Sequence, residues 1–206
     1  MASGNQPTGF VGYTVEELTQ GWTDPVNAIP VTILLGLLLL YGKPKTWTAV
    51  WVLINAALIH PWMDGVVGAF GRGPLWLVNE YALIDARYWP TQDATVMGVS
   101  IFELILMTPA CIFWYATEQK RSFVRHAFAF LTSAFHFMGC FLYIFGEVWN
   151  GFHNVPLDWP PQFDTYVKLK YFWFVFVFMN SLWVIIPFAI VASSINACLA
   201  IKEKKL

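Results

Sequence analysis

Charge is scarce in this sequence: 12 Lys and Arg and 13 Asp and Glu make up only 12% of its 206 residues. A chain so poor in charge, 57% hydrophobic and with a mean hydropathy of +0.54, is not composed like a water-soluble domain. Its net charge of −1 offers no basic surface to neutralise a phosphate backbone, which excludes nucleic acid as a partner. Cysteine is sparser still. Cys111, Cys140 and Cys198 sit inside apolar runs without metal-ligand spacing, so they read as reduced packing residues. No phosphate-binding glycine loop or metal cluster stands out, and neither a cofactor nor a metal is expected. The first twenty-five residues are polar and include Glu16, Glu17 and Asp24, which argues against a cleavable signal peptide. Repeats, low-complexity segments and linkers are missing too, so residues 1–206 are expected to form one domain.

What the chain has in quantity is long apolar runs and aromatic rings. The 11 Trp and 18 Phe suit both interfacial belts and the walls of a flat apolar cavity. Five apolar stretches stand out: Val26 to Tyr41, Thr46 to Phe70, Thr95 to Ala116, Phe123 to Phe145, and Tyr171 to Ile201. The first is the shortest and contains Pro30, whereas the others have the length that a helix needs to cross a bilayer. The expected fold is therefore an all-α integral membrane protein, a bundle of five transmembrane helices.

An odd number of spans puts the termini on opposite sides. Lys43, Lys45, Lys120, Arg121, Arg125, Lys202, Lys204 and Lys205 fall on one side, against Arg72, Arg87, Lys168 and Lys170 on the other. By the positive-inside tendency the C-terminus is cytosolic and the N-terminus lumenal. The final Lys202-Glu203-Lys204-Lys205-Leu206 has the lysine placement of a dilysine retrieval signal, or is simply a basic helix flank.

Ionisable groups at membrane depth are costly and mark functional sites. The second span carries Asn55, His60 and Asp64, the third Ser100 and Glu103, the fourth His136, and the fifth Asn180. His60 and Asp64 are four residues apart and share a helix face, while Pro61 between them removes a backbone donor and either kinks the helix or ends it. Glu103 lies mid-span among Phe102, Leu104 and Ile105, with no basic partner in its own helix, which suits a proton donor. Ser100, one turn earlier, can equally bond its own backbone. Asn180 and Trp183 present an amide and an indole to one surface, and the indole can stabilise a cation. His136, between Phe135 and Phe137, and Glu147, near a span end, are expected to be structural.

The run Tyr171-Phe-Trp-Phe-Val-Phe-Val-Phe-Met-Asn180-Ser-Leu-Trp183-Val-Ile-Ile-Pro187 resembles the last helix of the emopamil-binding protein family, the sterol Δ8-Δ7 isomerases of the wider EXPERA group. Further resemblances follow in order: His60 with an acid four residues on, Glu80-Tyr81-Ala82 with Asp85, Arg87 and Tyr88, then Asp93, and Gly139 through Leu142-Tyr143, Glu147 and Gly151-Phe152. The likeness is strongest over residues 46–187. It implies the five-helix fold of that group in the endoplasmic-reticulum membrane, with no cofactor, and a sterol or terpenoid lipid as substrate; a homodimer is left open. Carried over residue by residue, it implies that His60, Asp64, Glu103, Asn180 and Trp183 are catalytic and that Ser100, Tyr81, Met63, Met97, Tyr143 and Phe176 bind substrate.

This sequence departs from the family pattern in three places. Asp64 stands where the isomerases have Glu, and Ser100 where they have their second acid. Glu103 is placed instead like the acid of the sigma-2 receptor branch. Val78, Asn79 and Leu83 replace a Trp and two Lys in what is expected to be a loop. Three readings follow: a sterol double-bond isomerase working by protonation, carbocation stabilisation and deprotonation; a terpenoid epoxide cyclase or rearrangement enzyme; or a non-enzymatic sterol-binding or trafficking protein.

Overall fold

The structure, a computed structural model, describes residues 13–156 and 162–203. Among them every regular element is helical. A short helix α1, Val15–Thr19, precedes α2, Pro25–Tyr41. Four long apolar helices follow: α3, Trp47–Ala69; α5, Ala94–Gln119; α6, Arg125–Trp149; and α7, Lys168–Ala200. These four are long and apolar enough to cross a membrane, while α2 rises only about 25 Å, short of a hydrocarbon core of about 30 Å. Between α3 and α5 lies α4, Leu75–Ile84. Val78, Asn79 and Leu83 therefore sit in a helix rather than in the expected loop. Lys204, Lys205 and Leu206, the end of the dilysine-like sequence, lie outside the described residues.

Polar caps set the helix starts. Asp24 accepts from Val26 N at 3.1 Å ahead of Pro25 and pairs with Arg72 at 2.8 Å; the Val26 amide and then the Arg72 guanidinium hold its carboxyl below the usual range. Thr46 Oγ1 caps α3 through Ala49 N at 3.0 Å. Asp93 caps α5 through Thr95 N at 2.9 Å, which explains an acid immediately ahead of that span. Outward faces are apolar, with Leu39 85%, Phe188 68% and Ile105 61% exposed, as a surface solvated by lipid tails requires.

Three stretches depart from α geometry. Residues Asn55–Ala69 of α3, Glu103–Met107 of α5 and Lys168–Met179 of α7 wind as π-helix, with one residue more enclosed by each backbone hydrogen bond. Proline supplies a reason in two of them. Pro61 lies inside the first, where a wider turn relieves the clash of its ring with the preceding carbonyls. The second ends just before Pro109, and Thr108 bonds back to Glu103 O through both its amide and its hydroxyl, the latter at 3.1 Å. Pro61 thus neither ends α3 nor leaves it an ordinary helix.

Two apolar clusters flank the middle of the bundle on the side of α4. One joins Trp62, Val66, Val67, Leu77 and Tyr81; the other joins Val96, Tyr143, Val155, Phe172 and Phe176. A third, around Val52, Leu53, Trp114, Tyr115 and Ile190, fills the opposite end.

Candidate active site

Two acids from different spans meet inside the bundle. Single atoms of His60, Asp64 and Glu103 all lie within 4.8 Å of one another. Gly65 allows this: a Cβ there would sit 2.8 Å from His60 O and 3.0 Å from Leu104 Cβ, so only glycine lets α3 and α5 approach so closely beside Asp64. Glu103 also reaches α6, where a Cβ on Gly139 would stand 3.6 Å from its Oε1. Tyr81 Oη donates to Asp64 Oδ1 at 2.9 Å, and His60 Nδ1 faces Asp64 Oδ2 at 3.8 Å. By distance alone these groups have room for a small cation, and two carboxyls so close in an apolar interior repel one another when both are ionised.

The acids open onto a cavity of about 350 Å³, the size of a small-molecule site. Its wall includes Met63, Asp64, Tyr81, Glu103, Tyr143, Asn180 and Trp183 from the residues named above, with His136, Glu80 and Tyr88 added. Met97, Ser100, Phe176 and His60 are not part of that wall. Phe176 stacks with Phe172 at 5.7 Å between centroids, Met97 packs on the same cluster, and Ser100 is buried. His60, fully buried, stands directly behind the wall, its Nε2 3.0 Å from His136 Nε2.

The aromatic end is held firmly. Trp183 Nε1 donates to Asn55 Oδ1 at 3.0 Å, and Asn55 Nδ2 donates to Trp51 O at 2.9 Å. Asn180 Nδ2 donates to Phe176 O at 2.9 Å. The sequence shows Asn55 as a polar residue in a span, but only its position across from Trp183 reveals what it does. His136 was expected to be a structural residue; instead it lines the cavity and pairs with His60. A polar residue at helical spacing looks the same in sequence whether it faces lipid, core or cavity.

Charged residues close the other end. Arg87 binds Asp85 at 2.6 Å and Glu147 at 3.1 Å and donates to Tyr143 O at 3.0 Å. Glu147 accepts from Asn154 N at 2.7 Å and Asn154 Nδ2 at 2.9 Å. All three charges are buried, so the Asp85-Arg87 loop is locked over α6 next to Tyr88 and Tyr143 of the wall. Glu80, also on the wall, pairs with Lys170 at 2.7 Å and accepts from Tyr13 Oη at 3.0 Å.

A helical membrane protein with two acids and a histidine gathered in an apolar interior is thereby defined. Residues 74–194 match the family described as EXPERA (EXPanded EBP superfamily), and the chain belongs to that family. Over 113 residues, 55% of this chain, it is 29% identical to the 3-beta-hydroxysteroid-Delta(8),Delta(7)-isomerase of Cavia porcellus. The match spans 44% of that relative's length.

Proposed function

We propose that this chain is an isomerase that moves a carbon–carbon double bond in a sterol or related triterpenoid. The observation that carries this reading is the pairing of Asp64 and Glu103, backed by His60, at the side of an apolar cavity. Asp64 with His60 and Glu103 transfer protons: one carboxyl protonates the alkene, and the other takes a proton from a neighbouring carbon. Trp183, pinned by Asn55, stabilises the intervening cation. Asn180 orients substrate through its carboxamide oxygen, since its nitrogen is engaged by its own helix. Each turnover restores the proton count, so the chain's own residues suffice.

In this reading the chain is one domain of five spans, α2 being the fifth, in the endoplasmic-reticulum membrane. The basic residues support a lumenal N-terminus and a cytosolic C-terminus. A second reading, opening and cyclisation of a terpenoid epoxide, is supported by the same carboxyl pair: one carboxyl protonates the ring oxygen while the other steadies the developing charge.

The test is turnover by the purified protein in lipid nanodiscs, with Δ8 sterols and epoxy-triterpenoids supplied and products identified by mass spectrometry. A Δ7 product from the sterol supports isomerisation, and a cyclised product from the epoxide supports the second reading. Tight binding of these lipids without any product overturns both in favour of a sterol carrier.

A further inference from the structure

We infer that His136 is a positioning residue for His60: it occupies His60 Nε2, so that Nδ1 is the one ring nitrogen left to exchange a proton with Asp64. This rests on the proton-transfer reading above and deepens it. The two Nε2 atoms lie 3.0 Å apart, so one must donate and the other accept. His60 is fully buried and His136 is 3% exposed; the rings are 5.1 Å apart and tilted by 34°, packed rather than free to turn. Trp51 closes on His136 at 6.1 Å. With Nε2 engaged, the remaining nitrogen of His60, Nδ1, is buried without a hydrogen-bond partner and faces Asp64 Oδ2 at 3.8 Å. An unpartnered polar atom fully shielded from solvent is costly, and a proton passing between Asp64 and His60 uses that atom.

The step balances simply. The O–H bond of a protonated Asp64 breaks, an N–H bond forms at His60 Nδ1, and the carboxylate left behind is the base that takes the substrate proton. His60, which already donates through Nε2–H to His136 Nε2 while its Nδ1 is bare, then carries a proton on both nitrogens. Once Asp64 has taken the substrate proton, one proton passes on to the carboxylate that protonated the alkene and the His60 proton returns to Asp64. An imidazole suits this post because its bare Nε2 accepts that hydrogen bond both before and after the transfer, which holds His60 as the Nε2–H tautomer with Nδ1 free to take the proton. His60 is thus ordered by a third group, as the base in a catalytic triad is.

The experiment compares His136→Gln and His136→Leu in the full chain in nanodiscs. Histidine ¹⁵N spectra, which need no substrate, should show His60 and His136 in the wild type as complementary tautomers, one protonated on Nε2 and the other not. In His136→Leu, His60 should become a tautomer mixture. With a Δ8 sterol as substrate, His136→Leu should lower kcat about 100-fold, as a misplaced catalytic group does, while KM and binding of a saturated sterol stay near wild type. His136→Gln, whose amide can donate or accept at the same place, should restore most of kcat. Equal tautomers on the two wild-type rings, or a His136→Leu variant with full kcat, overturns the inference. A Glu103→Gln variant that stays active overturns the proposed function instead, and the spectra then still decide the role of His136.

Discussion

Glu103 and Trp183 are the residues on which chemistry and packing can be separated. Glu103→Gln keeps size and much of the hydrogen bonding but removes the transferable proton. Turnover should fall by about 10²–10⁴-fold with lipid binding retained, whereas Ser100→Ala, outside the cavity wall, should be mild. Assaying both variants on the same lipid checks the ranking, and the reverse order would move the acid to the position of Ser100. Trp183→Leu removes a contact worth roughly 0.5–2 kcal/mol once charge develops. It should therefore reduce kcat more than affinity for a neutral analogue; equal losses would make the indole a packing wall. Glu103 stands out in the sequence because an acid is rare in an apolar run, whereas Trp183, one of 11 Trp, is marked only by Asn180 three residues before it and by the resemblance of that helix. His136 is less so: a histidine beside phenylalanines carries no mark of its partner, and that partner, His60, lies on another span.

The helices show the same division between what repeats along the chain and what depends on a neighbour. Long apolar runs announce α3, α5, α6 and α7, with ends within a few residues of those expected, because hydropathy alone decides which segments can lose water. Helix α4 escapes, since ten residues interrupted by Asn79 and Glu80 resemble a loop. The π-wound stretches escape too, except that Pro61 and Pro109 mark where the α pattern must yield. Gly65 is an element-level feature, a small residue where two helices cross. Gly65→Val should force α3 and α5 apart and separate Asp64 from Glu103. Activity should be lost with the protein still inserted and helical, as judged by circular dichroism in detergent; full activity would mean that the helix contact does not position the acids.

For the whole molecule, the buried Asp85-Arg87-Glu147 cluster is the strongest candidate for a global lock. Removing one partner leaves an uncompensated buried charge, and Glu147→Ala should destabilise the fold by about 3–5 kcal/mol, read as a lowered midpoint of thermal unfolding in mild detergent. An unchanged midpoint would place that loop outside the cooperative fold. The orientation is checked by a tag after Leu206, which should be reached by antibody when the plasma membrane alone is permeabilised; a tag that stays hidden overturns the assignment. One feature of α5 also bears on how such a site arises. The wide turn at Glu103–Met107 is a single turn, the form that one inserted residue takes when a helix absorbs it without moving its ends. Deleting Leu104 should reverse that event: the span heals into ordinary α-helix and still inserts with both halves in place, while the side chains inside the turn, Glu103 among them, take new angles about the axis. A one-codon change of length is then enough to give this scaffold its acid or take it away, with the membrane-spanning frame on either side left as it was.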